Sequence, residues 1–501
     1  MRVRSFALWS ALGVSLASAG AFLLPVPVAH GGGGGTAQQQ VSDPGSDPPP
    51  DRAHFVDGTT LLLDGRLGHA SIERDPRGGS ASTFLLATVT GVKGGAGDAT
   101  RPPPVHLALA VDRSGSMAGP KMANAVAAAV GAVERMHEGD RVTVVAFDDT
   151  ARLIVPPTTI DPATRPSVEA SIRGMHAGGD TCISCALERA TEALDSSPGP
   201  RDEVRRILLI SDGEATTGIR DATGLRTVAA RARDRGFTVS TIGVDLAFDE
   251  KVMAAIAQES NGRHWFVPDA SALGQVFDQE LGSLETAVAT NAELTIEPAQ
   301  GVVVDDVLDR SFRREGGRIV VPLGAFDPQE EKTVLLSVRL PAGTAGSEPV
   351  AKLSVDYRDV EAARDRESVG SLEVDVRDDG TAQKDLDPFV AARVERNRTA
   401  RSLLRANELF SRGHADAARA ELARREKDLA TAAPTTIARA TALPPAPVRP
   451  IGDDFEAQRS ALAHAQSGFA AAPSPAAGGA AAPAAKSALK KNQAEATDLA
   501  F

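Results

Sequence analysis

Val105–Met117 reads VHLALAVDRSGSM. Its first seven residues are uncharged and mostly apolar, the content of a strand buried on both faces of a parallel sheet. The run stops at Asp112-Arg113-Ser114-Gly115-Ser116. There a carboxylate and two hydroxyls alternate, and Gly115 is expected to let the backbone turn sharply. In open α/β sheets the loop at the carboxyl end of a central strand is where ligands bind. Oxygen side chains converging on such a loop suit a hard cation better than a thiol-seeking one.

Two later stretches extend this reading. Gly178-Gly179-Asp180-Thr181 offers a loop hydroxyl, and Ile207–Gly213, ILLISDG, is a second apolar strand that ends in Asp212. In this order, each after a strand or loop of the right kind, the set resembles the metal-ion-dependent adhesion site of bacterial-type von Willebrand factor type A (VWA) domains. The resemblance runs from about Pro104 to Leu284. It implies a doubly wound, mainly parallel α/β sheet with all five ligand positions filled. Ser114 and Ser116 would bind the cation through their hydroxyls, and Thr181 would join them in the ligand-occupied state. Asp112 and Asp212 would act directly or through water. The chemistry agrees: Mg²⁺ takes six oxygens in octahedral geometry and usually retains water. Neutral hydroxyls leave much of its charge unneutralised, so one position stays open to a partner's carboxylate. Mg²⁺ is the expected cation, with Mn²⁺ or Ca²⁺ as alternatives. Singly, each residue also reads as an ordinary turn former or loop cap; only the set is specific. Asp148, Asp149 and Asp245 follow strands too and are not assigned to the metal.

Cys182 and Cys185 are the only cysteines. They follow the loop threonine, where the family usually has a small or polar residue. Three readings stand: a short-loop disulfide in an oxidising compartment, two buried thiols, or a redox switch on metal affinity. Two cysteines cannot complete a structural zinc site.

The chain has 501 residues and a net charge of −12, which argues against a nucleic-acid partner held by a broad basic surface. Aromatics at 4% also disfavour a base-stacking platform. Met1-Arg2-Val3-Arg4, an uncharged run from Ser5 to Ala29 and Ala17-Ser18-Ala19 read as an export signal, with a retained membrane anchor as the alternative. Residues 1–30 are therefore expected to be signal or anchor and 31–52, with five consecutive glycines and Pro-Pro-Pro, a flexible linker. A β segment is expected over 53–100, the VWA domain over 104–285 and further β structure over 286–380. The two β regions are expected to form one β-sandwich with the α/β domain inserted between them. A helical hairpin is expected over 385–430, and an Ala/Pro-rich, mostly disordered tail over 431–501, with Asp453–Phe469 as one short helix within it.

The sequence points to an exported, non-enzymatic protein of the cell envelope that binds an Asp or Glu of a protein partner through a divalent cation. No Gly-x-x-x-x-Gly-Lys-Ser/Thr loop, His-Glu-x-x-His or Gly-x-Ser-x-Gly is present. Two alternatives remain: a metal-bearing accessory subunit of an enzyme or ATPase complex, and a scaffold whose metal site is structural.

Overall fold

The computed structural model describes residues 52–92, 102–443, 450–473 and 482–500. The signal or anchor at 1–30 and the linker through Asp51 lie outside them.

The chain opens with strands β1 (His54–Gly58), β2 (Leu61–Leu67), β3 (Ser71–Glu73) and β4 (Ser80–Gly91). It then enters the α/β domain, with strands β5 (Val105–Asp112), β6 (Arg141–Phe147), β7 (Ala151–Thr159), β8 (Val204–Ser211), β9 (Thr238–Val244) and β10 (His264–Val267). The helices between them are α1 (Pro120–Arg135), α2 (Arg165–Arg173), α3 (Ile183–Asp195), α4 (Ala222–Asp234), α5 (Glu250–Glu259) and α6 (Leu273–Glu285). Strand order is β10-β9-β8-β5-β6-β7, parallel throughout except for β7. The alternation of β5 explains its burial. Val105, Leu107, Leu109 and Val111 enter the core beneath α1 and α6. Ala108 and Ala110 enter the opposite core beneath α3, α4 and α5. A strand covered on both faces must be apolar on both. β7 is not foreseen in the sequence because ARLIVPPTT carries Pro156 and Pro157. Proline is tolerated there because β7 is the sheet edge.

The second β region supplies β11 (Ala289–Pro298), β12 (Val303–Val307), β13 (Arg313–Glu315), β14 (Arg318–Phe326), β15 (Glu331–Pro341), β16 (Gly346–Asp359) and β17 (Arg364–Arg377). Two sheets result, β1-β2-β4-β15-β12 and β13-β14-β11-β16-β17-β3. β15 pairs with β4 along its whole length, from Glu331 opposite Thr90 to Pro341 opposite Ser80. β17 pairs with β3. One core, including Leu61, Val89, Leu294, Val321, Leu336 and Leu353, lies between the sheets. The sandwich thus combines segments from before and after the α/β domain, and that domain is inserted between them.

The tail differs from expectation. α7 (Pro388–Ser411) and α8 (Ala415–Thr441) form the hairpin, and α8 runs past residue 430. α9 (Ile451–Ala471), which contains the short helix expected at Asp453–Phe469, and the unexpected α10 (Pro483–Ala500) follow. The described part of 431–501 is therefore largely helical rather than disordered. Alanine is the best helix former, and a sparse set of large residues suffices to bury these helices against one another. Phe455, Leu462 and Phe469 are all at most 1% exposed. Phe469 stacks on Phe410 of α7 with ring centroids 4.1 Å apart. The bundle also docks on the rest of the molecule. Val390 and Val394 of α7 pack on Leu86 and Leu335 of the sandwich. Lys490 of α10 donates to Phe248 O and pairs with Glu250 of the α/β domain at 2.9 Å.

Candidate functional site

β5 lies beside β6 on one side and β8 on the other, with β9 and β10 beyond β8, so the chain direction across the sheet reverses at β5. Loops at the carboxyl ends of such strands leave a crevice. Asp112 is the last residue of β5, and Asp212 follows β8. Both carboxylates are 0% exposed.

The turn after β5 is built by its own polar atoms. Asp112 accepts the Ser114 N–H at 2.8 Å through one oxygen and the Ser211 hydroxyl at 2.5 Å through the other. The Ser114 and Ser116 hydroxyls lie 3.0 Å apart, and Ser116 donates to Asp212 at 2.7 Å. Met117, fully buried in the core under α1, pins the end of the turn. Gly115 opens a 3₁₀ turn over Gly115–Met117, so the chain does turn sharply there, with a φ outside the left-handed region. The positive φ values fall at Gly119 (79°), just before α1, and at Gly179 (84°). At Gly179 a Cβ would come within 2.9 Å of the Asp148 Cβ, so glycine is required on both counts.

The threonine loop is tied to this turn from both ends. Gly115 N–H donates to Gly179 O at 2.9 Å, and Gly178 N–H to Arg113 O at 2.7 Å. Cys182 N–H donates to Asp148 O at 2.8 Å, and Thr181 N–H to the Thr216 hydroxyl at 2.9 Å. A Cβ placed on Gly213 would stand 3.5 Å from both the Ser116 and Thr181 hydroxyl oxygens. The fold therefore brings Asp112, Ser114, Ser116, Thr181 and Asp212 to one edge of the sheet. Cys182 and Cys185 are joined by a disulfide directly after Thr181, at the start of α3.

Three neighbours escaped the sequence reading or were left unassigned. Ser211 holds the second oxygen of Asp112. Lys121, in the first turn of α1, places its ammonium 2.6 Å from Asp212 and 3.0 Å from Asp245. A lysine at a helix N-terminus opposes the helix dipole, and that is the signal that predicts a carboxylate partner. Asp245 sits at φ 65° on the loop after β9.

Electrostatics follow from burial. Burial pushes Asp112 up to about 6, against hydrogen bonds from Ser211 and Ser114, and the neighbouring Asp212 charge adds to the rise. Burial pulls Lys121 down, but hydrogen bonds and charge from Asp212 and Asp245 outweigh it and leave its pKa above the ordinary lysine value. Burial likewise raises Asp245, and Lys121 more than offsets that.

The donor set fits a hard divalent cation. It is all oxygen, with two carboxylates and three hydroxyls, and Asp212 already attracts a cationic side chain. Among the described residues, no cluster of three or more His, Cys, Asp or Glu is placed to hold a metal. A site of two aspartates and three hydroxyls is not of that type.

Residues 106–279 match the family model of the von Willebrand factor type A domain. The chain thus carries a VWA domain. An uncharacterized protein of Synechocystis sp. is 28% identical over 275 residues, covering 53% of this chain and 64% of that protein. Inter-alpha-trypsin inhibitor heavy chain H2 of Mus musculus is 25% identical over 243 residues, covering 46% of this chain and 24% of the mouse protein. The chain thus spans less than two thirds of these relatives' length. In fold it is similar to a von Willebrand factor type A protein from Catenulispora acidiphila, with a TM-score of 0.62, 18% identity, and coverage of 77% of this chain and 89% of that one. It is also similar to the ArnB paralog VWA2 from Sulfolobus acidocaldarius, with a TM-score of 0.58, 17% identity, and coverage of 88% and 98%. Both likenesses cover more of this chain than the α/β domain alone.

Proposed function

We propose that this chain is an exported, non-enzymatic protein-binding module that captures an acidic side chain of a protein partner through a divalent cation, Mg²⁺ first. The observation that carries this reading is the convergence of the Asp112, Ser114, Ser116, Thr181 and Asp212 oxygens at the carboxyl edge of a VWA sheet. Bound there, the cation would supply positive charge to a partner carboxylate. The protein's own residues do the rest. Asp112 holds the Ser114 backbone, Ser211 holds Asp112, and Met117 with Gly179 fixes the two loops. Ser116 is exposed while Asp112 and Asp212 are not, so a ligand approaches from the hydroxyl side.

Export is supported by the basic-then-apolar N-terminus and by the Cys182–Cys185 pair, which suits an oxidising compartment. The scaffold reading is weaker, because the C-terminal helices bury their apolar stripe, Leu403, Phe410, Leu422 and Phe469 among it, inside the molecule. The test is binding of the full chain to an immobilised library of Asp- and Glu-bearing peptides, in Mg²⁺ and in EDTA. Capture should need Mg²⁺ and vanish in a folded Asp112→Ala variant. Equal capture in EDTA would overturn the proposal.

A further inference from the structure

A cavity of about 310 Å³ lies where the sandwich, the α/β domain and the helical bundle meet. That is the size of a small-molecule site. It lies apart from the loops that carry Asp112 and Thr181, and none of their site residues lines it. Seven arginines and lysines line it against five aspartates and glutamates. Its character is therefore cationic rather than apolar.

The walls come from all three parts. The sandwich contributes Arg310 and Lys332, the α/β domain Arg206 and Arg263, and α7 Arg393 and Arg396. Some of these charges are fully matched. Arg393 pairs with the buried Asp309 at 2.9 Å, and Arg396 with Asp454 at 2.6 Å. Others are not. Arg263 meets one oxygen of Glu330 at 3.5 Å, beyond a close ion pair, and Lys332 shares that oxygen at 3.7 Å, its ammonium also donating to Leu323 O at 2.9 Å and to Ala325 O. Arg206 reaches Glu280 at 2.9 Å through one terminal nitrogen, yet its Nε is buried with no hydrogen-bond partner among the described residues. A buried donor left unmade is costly, and here it belongs to a wall of the cavity.

The cations also crowd one another. Burial, with Arg393 and Arg396 nearby, brings Arg310 down to about 10. Burial, with Arg310, Arg206 and Arg263 nearby, brings Lys332 down to about 8. Opposing carboxylates, Asp309 and Glu330, only partly offset these effects.

We infer that this junction is a binding site for a small, multiply charged oxyanion, a phosphate-bearing or polycarboxylate molecule, held by Arg206, Arg263, Arg310 and Lys332. Its oxygens would give the Arg206 Nε a partner and relieve the shared Glu330. Because the lining comes from three layers, the ligand would clamp the helical bundle and the sandwich to the α/β domain.

The experiment is thermal unfolding of the full chain in EDTA, which removes any contribution from divalent cations. Inorganic phosphate and citrate are titrated separately, each against sodium chloride of matched ionic strength. Wild-type protein should show a saturable rise in Tm with phosphate, citrate or both, which chloride does not reproduce. A response to phosphate alone marks the ligand as phosphate-bearing, and one to citrate alone as a polycarboxylate. Arg263→Gln alters a partly exposed side chain and should fold. It should need about tenfold more anion for the half-maximal shift, and a folded Lys332→Met should do likewise. Asp112→Ala should respond as wild type does. The inference is overturned by any of three results: no saturable shift in wild type, an unchanged midpoint in Arg263→Gln, or loss of the response in Asp112→Ala.

Discussion

Asp112→Asn isolates what burial does to the candidate metal site. The carboxylate is 0% exposed and titrates at about 6 in the folded protein, against 3.8 in the unfolded chain. Between those values the native state binds more protons than the unfolded state, so this group makes stability fall as pH rises through the window. The gap corresponds to about 3 kcal/mol once the group is ionised above pH 6. Asparagine cannot ionise, and its amide can still accept from Ser114 N–H while donating to the Ser211 hydroxyl. In EDTA the variant should match wild type near pH 4 and become more stable as pH rises, by about 3 kcal/mol at pH 7.5. Urea unfolding of both proteins at a series of pH values reads the difference directly. The variant should also lose its response to Mg²⁺, so stability and function move in opposite directions. A variant less stable than wild type at pH 7.5 in EDTA would refute the reasoning, because burial would then not be the dominant influence on Asp112.

Three further outcomes follow from the packing. Phe469→Ala empties a fully buried ring site stacked on Phe410 and should cost about 3–5 kcal/mol in urea unfolding; a change under about 1 kcal/mol would mean that α9 does not pack there. Arg393→Ala strands Asp309 without its buried partner and should cost about 3–5 kcal/mol by the same measurement. His264, brought down to about 3 by burial and the Lys490 charge, is neutral in the fold while the unfolded chain protonates near 6.5. Its contribution is present above pH 6.5 and lost as pH falls toward 3. His264→Asn should therefore flatten the acid limb of a stability–pH curve by about 1.4 kcal/mol per pH unit around pH 5.

Much of the site is legible in the sequence because its residues fall at the ends of apolar strands, where side-chain type alone marks the change from core to loop. Asp112 after VHLALAV and Asp212 after ILLIS are of this kind. Ser211 and Lys121 are not, since their roles depend on partners about 100 and 91 positions away. The sharp turn expected at Gly115 is present as a 3₁₀ turn, whereas the left-handed glycines, Gly119 and Gly179, are not marked in the sequence, because the site is shaped by two loops held together by backbone hydrogen bonds. The inserted topology was readable because β4 and β15 are both long and β-prone. β17 was harder to read, since RDRES in its first half looks like a solvated loop. The Ala-rich tail misled for a different reason. Low aromatic content normally signals too little burial to fold, but beyond the helix expected at Asp453–Phe469, Ala433 of α8 and Leu489 and Leu499 of α10 join the buried cluster of α7 and α9.

Cation-dependent capture is tested most directly by calorimetric titration of Mg²⁺, Mn²⁺ and Ca²⁺ into the purified full chain, alone and with a saturating Asp- or Glu-bearing peptide, beside Asp112→Ala. Wild type should show a single divalent site, tightened by the carboxylate ligand and absent from the variant. A folded wild-type chain that binds no divalent cation even with the ligand present would contradict it.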